Sequence, residues 1–144
     1  GHPGRHPLWL YILRDGMSHT PLVLEAFRNR ESVGQLPLAS VKSSLFGRFL
    51  VSLPYLNVGG ILSREAEATT RLIEQGVKLA NELRTRHLEL RHENAFAHPS
   101  LNGTRSNKVH MRLNLPDFPG PLWEELSPKV RNQVRKGERS DLTC

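Results

Sequence analysis

The twenty-one residues from Val41 to Ile61, VKSSLFGRFLVSLPYLNVGGI, constrain the fold more than any other part of the chain. Phe46 to Leu53 is apolar except for Gly47, Arg48 and Ser52, the pattern of a strand buried on both faces. Pro54 removes a backbone donor and ends the ladder. Asn57, Gly59 and Gly60 follow, residue types that tolerate positive φ and let backbone come close to a neighbour or a ligand. The expectation is a buried strand running into a glycine turn. Asn57, Gly59 and Gly60 are candidate substrate-binding positions at its edge, and a turn that merely caps the strand is the plainer alternative.

Leu22 to Phe27 and Val33 to Leu38 flank the polar stretch Arg28 to Ser32 and predict a hairpin, with Pro37 placing the second strand at an edge or at a bulge. Arg64 to Arg84 predicts a helix lying on a sheet: Leu72, Ile73, Val77, Ala80 and Leu83 recur at helical spacing. On its other side, Glu67 with Arg71 and Glu74 with Lys78 are expected i,i+4 ion pairs, each contributing roughly 0.2–0.5 kcal/mol. His87 to His92 and Lys108 to Leu115 alternate as half-buried strands do, so Phe46–Leu53, His87–His92 and Val109–Leu115 are expected in one sheet. Asn94 to Asn107 reads as a loop able to overhang a groove. After the break at Pro116 to Pro121, residues 122–139 predict a basic closing helix, with Ser127 as N-cap and Pro128 at the first helical position.

A chain of 144 residues, 38% hydrophobic, suffices for a single compact α/β (α+β) domain over residues 1–144, with a mixed β-sheet flanked by helices and a core of Leu and Val more than aromatic residues. One cysteine, Cys144, allows no internal disulfide and fits a reducing, cytoplasmic setting. No apolar run is long enough for a membrane span. The net charge is +6, and from Lys129 to Arg139 five basic residues face one acid, Glu138. Arg131 and Arg135 lie one helical turn apart with Lys136 beside them, a spacing that can grip successive phosphates of tRNA or of a nucleotide-linked precursor; a solvated helix face is the alternative.

The catalytic motifs that would define an enzyme class are missing. The seven histidines form no zinc-like spacing, so no metal site is expected. Ser52 and Ser63 have no nucleophile-elbow surroundings, and there is no phosphate-binding GxxxxGK[ST]. Asn102-Gly103-Thr104 matches a glycosylation sequon by chance. Glu89 and Arg91 share a strand face with His87 beside them and, with Lys108, are candidates to meet an amine or carboxylate. A cross-strand salt bridge to Lys108 or Arg112 is the structural alternative.

The order KSSLFG then LVSLPYLNVGG resembles the N-terminal half of FemAB-like proteins associated with the exosortase (PEP-CTERM) system, relatives of the GNAT-fold acyltransferases. The Trp9 region, QLPLASVKS at Gln35–Ser43, LELRH at Leu88–His92 and KVRNQVRK at Lys129–Lys136 extend that resemblance over nearly the whole chain. It implies a GNAT-like half-domain of an N-acyltransferase serving cell-envelope or exopolysaccharide assembly. The donor would be aminoacyl-tRNA or acyl-CoA, with no cofactor held in this half. Members carry a second GNAT-like half after a helix such as the closing one here. The expectation is therefore a truncated fragment, cut at Gly1 and Cys144, inactive alone and prone to self-association, cytoplasmic and able to work at the inner face of the inner membrane. Acetyl-CoA-dependent GNAT enzymes share a Gln/Arg-x-x-Gly-x-Gly/Ala loop that holds pyrophosphate at a helix start; Gly59-Gly60 is too short to match it. No residue is assigned as general base, because nothing in the sequence fixes the acceptor amine. The alternative function is a non-catalytic basic module binding nucleic acid or an anionic partner.

Overall fold

The structure, a computed structural model, describes residues 6–94, 96–109 and 111–140. Gly1, His110 and Cys144, which enter the readings above, lie outside the described residues. Two compact units are formed, Gly1–Asn107 and Lys108–Cys144.

In the first unit, β1 (Thr20–Arg28) and β2 (Glu31–Ser43) make the expected hairpin, antiparallel and longer than the apolar runs alone suggest. Asn29 and Arg30 turn it with φ of 50° and 69°, the left-handed pair whose twist matches that of the flanking strands. β2 is long because its other edge is shared: Gly34 and Gln35 pair with β4 (Leu62–Ser63), and Ala39 to Ser43 pair with β3 (Gly47–Val51). Pro37 thus lies in an interior strand, not at an edge. It falls between the β4 and β3 pairings, where its missing N–H deprives no second partner. The bulge sits elsewhere, where the register passes from Ala26–Gly34 to Phe27–Ser32 and leaves Val33 as the extra residue.

β3 is shorter than Phe46–Leu53, since Phe46 is exposed, but Leu50, Val51, Ser52 and Leu53 are all buried, as a strand covered on both faces requires. The helix α2 (Ala66–Glu82) then carries the chain across to β5 (Leu88–Glu89), which pairs parallel with β3. The sheet is therefore mixed, in the order β1-β2-β3-β5 with β4 on β2. α2 lies on one sheet face: its Leu72 and Ala80 pack with Leu36, Leu38 and Leu50, flanked by Leu22, Leu24 and Leu88. Burying each such leucine stabilises by roughly 1.5–3 kcal/mol.

Strand residues alternate in direction, so Ala39, between Leu38 and Ser40, points to the other face. There it meets Leu13 and Leu53. Leu13 comes from a π-helical turn, Ile12–Gly16, that continues the short helix α1 (Leu8–Tyr11). Helices thus flank the sheet on both sides.

The ion pairs on α2 differ from the expected ones. Arg71 pairs with Glu74 at 3.6 Å and Lys78 with Glu82 at 4.0 Å. Glu67 pairs with Arg28, at the end of β1. A tertiary cation within reach displaces an i,i+4 partner whose net worth is only a few tenths of a kcal/mol, roughly.

In the second unit, the expected strand Lys108–Leu115 is not formed: among the described residues the segment is irregular, and Val109, Met111, Leu113 and Leu115 are 63 to 84% exposed. An alternating sequence becomes a strand only beside a partner that supplies hydrogen bonds and an apolar face. The closing helix is two helices, α3 (Pro119–Glu125) and α4 (Pro128–Glu138). Ser127 caps α4, its Oγ accepting the Val130 N–H at 3.4 Å, with Pro128 opening the helix as expected. An N-cap before proline must be extended, here with ψ of 151°, so the same residues that start α4 end α3.

Candidate functional site

The structure brings Gly59, Gly60, Glu89 and Arg91 together where the turn after β3 folds back on β5. The N–H groups of Gly59 and Gly60 both donate to the Arg91 carbonyl, at 3.1 and 2.9 Å. Arg91 in turn donates its own N–H to Oγ of the fully buried Ser52 at 2.7 Å. Its guanidinium donates to Glu89 Oε1 at 2.7 Å and to the Leu56 carbonyl at 2.8 Å. The partner of Glu89 is thus Arg91, two residues on and just past the end of β5. Both glycines are forced by proximity: a Cβ on Gly59 would lie 2.5 Å from Cβ of Leu53, and one on Gly60 would lie 2.7 Å from Cδ2 of His92. The neighbour that these glycines approach is the chain itself. Asn57 is exposed at the lip of the turn.

A pyrophosphate does not fit here. The glycine N–H groups are taken, and the start of α2, which follows the turn, is lined by the chain's own anions. Arg28 Nη2 lies 3.0 Å from Glu67 Oε2 in hydrogen-bond geometry. It lies 2.9 Å from Glu65 Oε2 as an off-axis ion pair, that oxygen accepting no hydrogen bond. Two carboxylates at the positive end of the helix already complement its dipole.

On the face opposite α2 the sheet is only partly covered, and a cleft of about 230 Å³ opens beneath α1. Val23, Gln35, Pro37 and Leu62 form its floor, His6, Pro7, Trp9 and Leu10 its roof, and Leu53 and Gly60 its end wall. The end wall is a strained turn. Leu53 and Tyr55 have φ of 45° and 72°, a left-handed conformation that costs bulky residues of order 1–3 kcal/mol each. It is held by burial of Leu53 and by Tyr55, whose hydroxyl is 2.8 Å from Nε2 of His19. Outside the lining but bonded to it, the exposed Glu25 accepts at Oε1 from Ser32 Oγ at 2.6 Å and from the floor residue Gln35, Nε2, at 2.7 Å. These two donors, Ser32 first, hold the Glu25 carboxyl below its ordinary range.

Of the cleft's residues only Gly60 is a candidate binding position in the sequence reading. The signal was in β1, where Pro21 and Val23 are apolar in the phase opposite to Leu22 and Leu24, so that both faces of the strand ask for cover. Lys108, Arg131, Arg135 and Lys136 belong to the second unit. On α4, Arg131 is half-buried, Arg135 and Lys136 are exposed, and the Arg135 guanidinium lies 5.5 Å over the Trp123 ring of α3. A hollow of about 390 Å³ on α3, lined by Pro119, Gly120, Leu122, Trp123 and Leu126, is larger than the cleft but open and without a converging polar group.

Among the described residues no group of three His, Cys, Asp or Glu could hold a metal ion, and no helix is long and apolar enough to cross a membrane. No protein-family model matches the chain, and neither a curated protein nor a solved structure is significantly similar to it.

Proposed function

We propose that the chain is the first GNAT-like half of a FemAB-like N-acyltransferase, acting on an amine acceptor in envelope or exopolysaccharide assembly. The observation that carries the reading is the mixed sheet itself: an antiparallel β1-β2-β3 meander, then α2 crossing to a parallel β5, with helices on both faces. It agrees with the half-domain that the resemblance implies. Of the two donors considered, aminoacyl-tRNA is favoured, because the N–H groups of Gly59 and Gly60 before α2 are engaged by the Arg91 carbonyl instead of being open to the pyrophosphate of an acyl-CoA. In this reading Arg131, Arg135 and Lys136 contact donor phosphates. Asn57 borders the acceptor groove, and rate enhancement comes chiefly from proximity and stabilisation of the oxyanion. The chain would act with a second GNAT-like half.

The test is transfer of a labelled aminoacyl group from tRNA to an amine, by the chain joined to whatever its coding sequence specifies after Cys144. Transfer is expected with aminoacyl-tRNA and not with acyl-CoA. A stop codon directly after Cys144, or no transfer with either donor, overturns the reading.

A second reading is a non-catalytic basic module for nucleic acid or an anionic partner. One observation favours it: α4 presents exposed Lys129, Arg135 and Lys136 with an aromatic ring under Arg135, a pairing that nucleic-acid grooves use.

A further inference from the structure

We propose that the cleft beneath α1 is a binding site for a small organic cation, whose ring or branched apolar group fills the cleft while its ammonium is received by Glu25. The inference stands on the cleft alone and does not depend on the transferase reading.

Size sets the first limit. A cavity of about 150 Å³ holds a benzene ring, so the cleft at about 230 Å³ takes one ring with a short arm. The lining sets the second. The side chains of Trp9, Val23, Pro37 and Leu62 offer an apolar bed.

Charge decides what the arm carries. Glu25 follows Val23 by two residues on the same strand face, and it lies in register with Gln35 of the cleft floor. Gln35 and Ser32 fix the carboxylate there through Oε1, and the same two donors favour its ionised form. Among the described residues Glu25 forms no ion pair, and Arg28, the cation of the same strand, is engaged by Glu65 and Glu67. An apolar cleft with an exposed, ionised carboxylate held against its floor residue Gln35, fixed and without an ion-pair partner among the described residues, favours an amine over an isosteric alcohol or acid.

The experiment is a titration of the isotope-labelled chain, followed by amide and indole NMR shifts, with phenethylamine, 2-phenylethanol and 3-phenylpropionate near neutral pH. Phenethylamine is expected to shift the Trp9 indole and the Gln35 side-chain amide, and to bind about three-fold more tightly than 2-phenylethanol. In Glu25→Gln that preference should vanish while the alcohol still binds. In Val23→Phe, or in Leu62→Phe should the first variant disturb the spectrum, both should weaken, because the ring takes the ligand's place. Equal binding of amine and alcohol in the wild type, tightest binding of the acid, or folded cleft-filling variants that bind as before would each overturn the proposal. So would the absence of shifts at Trp9 up to the solubility limit.

Discussion

The main-chain N–H of Ile61 donates to Nε2 of His92 at 3.3 Å. The imidazole is therefore an acceptor on that side and carries its proton at Nδ1. Its ring also abuts Gly60, where no side chain would fit. His92 thus fastens the chain between the glycine turn and β4 to the segment after β5.

Burial pushes the His92 pKa below its ordinary value. A proton on Nε2 would abolish the acceptor for Ile61 as well as charge a half-buried ring. The unfolded chain then binds this proton more readily than the folded one. The stability due to neutral His92 is fully present above about pH 6.5 and is lost as pH falls from there through the lowered folded value. Urea midpoints should decline between about pH 7 and 5, above the range where carboxylates titrate. In His92→Gln, which keeps an acceptor without a titrating ring, the decline should be smaller. Parallel profiles for the two proteins would rule out His92 as the origin.

The glycine turn makes a contrast among single substitutions. Gly59→Ala and Gly60→Ala each force a Cβ into contacts of 2.5 and 2.7 Å, and overpacking of this kind costs about 1–3 kcal/mol. Gly137, inside α4, has nothing within 4 Å of a Cβ; Gly137→Ala should instead stabilise that helix by about 0.5–1 kcal/mol. Thermal melts of the three variants separate the cases, and tolerance of alanine at both positions of the turn would refute the close approach.

Ser52 offers a test of how β5 is attached. Its Oγ is buried and accepts the Arg91 N–H. Ser52→Ala would leave that donor without a partner in a region closed to water, at a cost of about 1–3 kcal/mol. Hydrogen exchange of the Arg91, Gly59 and Gly60 amides should accelerate together, since all three bonds converge on one residue. Acceleration at Arg91 alone would mean that the turn is held by something else.

These relationships show where the sequence is informative. The hairpin was legible because its strands and its turn are coded locally, and α2 because its apolar stripe is sustained over more than four turns. The contact of the glycine turn with β5 was legible only in kind. Gly59 and Gly60 signal a close approach, but they do not name the carbonyl that they meet. Lys108 to Leu115 shows the opposite failure. Its alternation satisfies the local rule, yet a strand is a relation between segments, and no partner strand is written into the segment itself. The Arg28 to Glu67 pair and the cleft under α1 were hidden for the same reason, as both join residues tens of positions apart.

The basic helix yields the prediction that bears most directly on function. If Arg131, Arg135 and Lys136 contact phosphate, replacing all three by Gln should weaken tRNA binding and flatten its salt dependence. Each lost contact should lower the slope of log K against log salt by about 0.7–0.9. Folding should change little: surface charges matter within about ±0.5 kcal/mol, and the Arg135–Trp123 contact adds about 0.5–1 kcal/mol at an exposed site. Arg135→Lys then separates recognition from structure. It keeps a positive charge for phosphate and loses the planar stack on Trp123, so salt slope should persist while the melting temperature drops slightly. A triple variant whose slope equals that of the wild type would remove these residues from the phosphate role. One that unfolds would place them in the structure of the second unit, through Arg131, the half-buried member of the three.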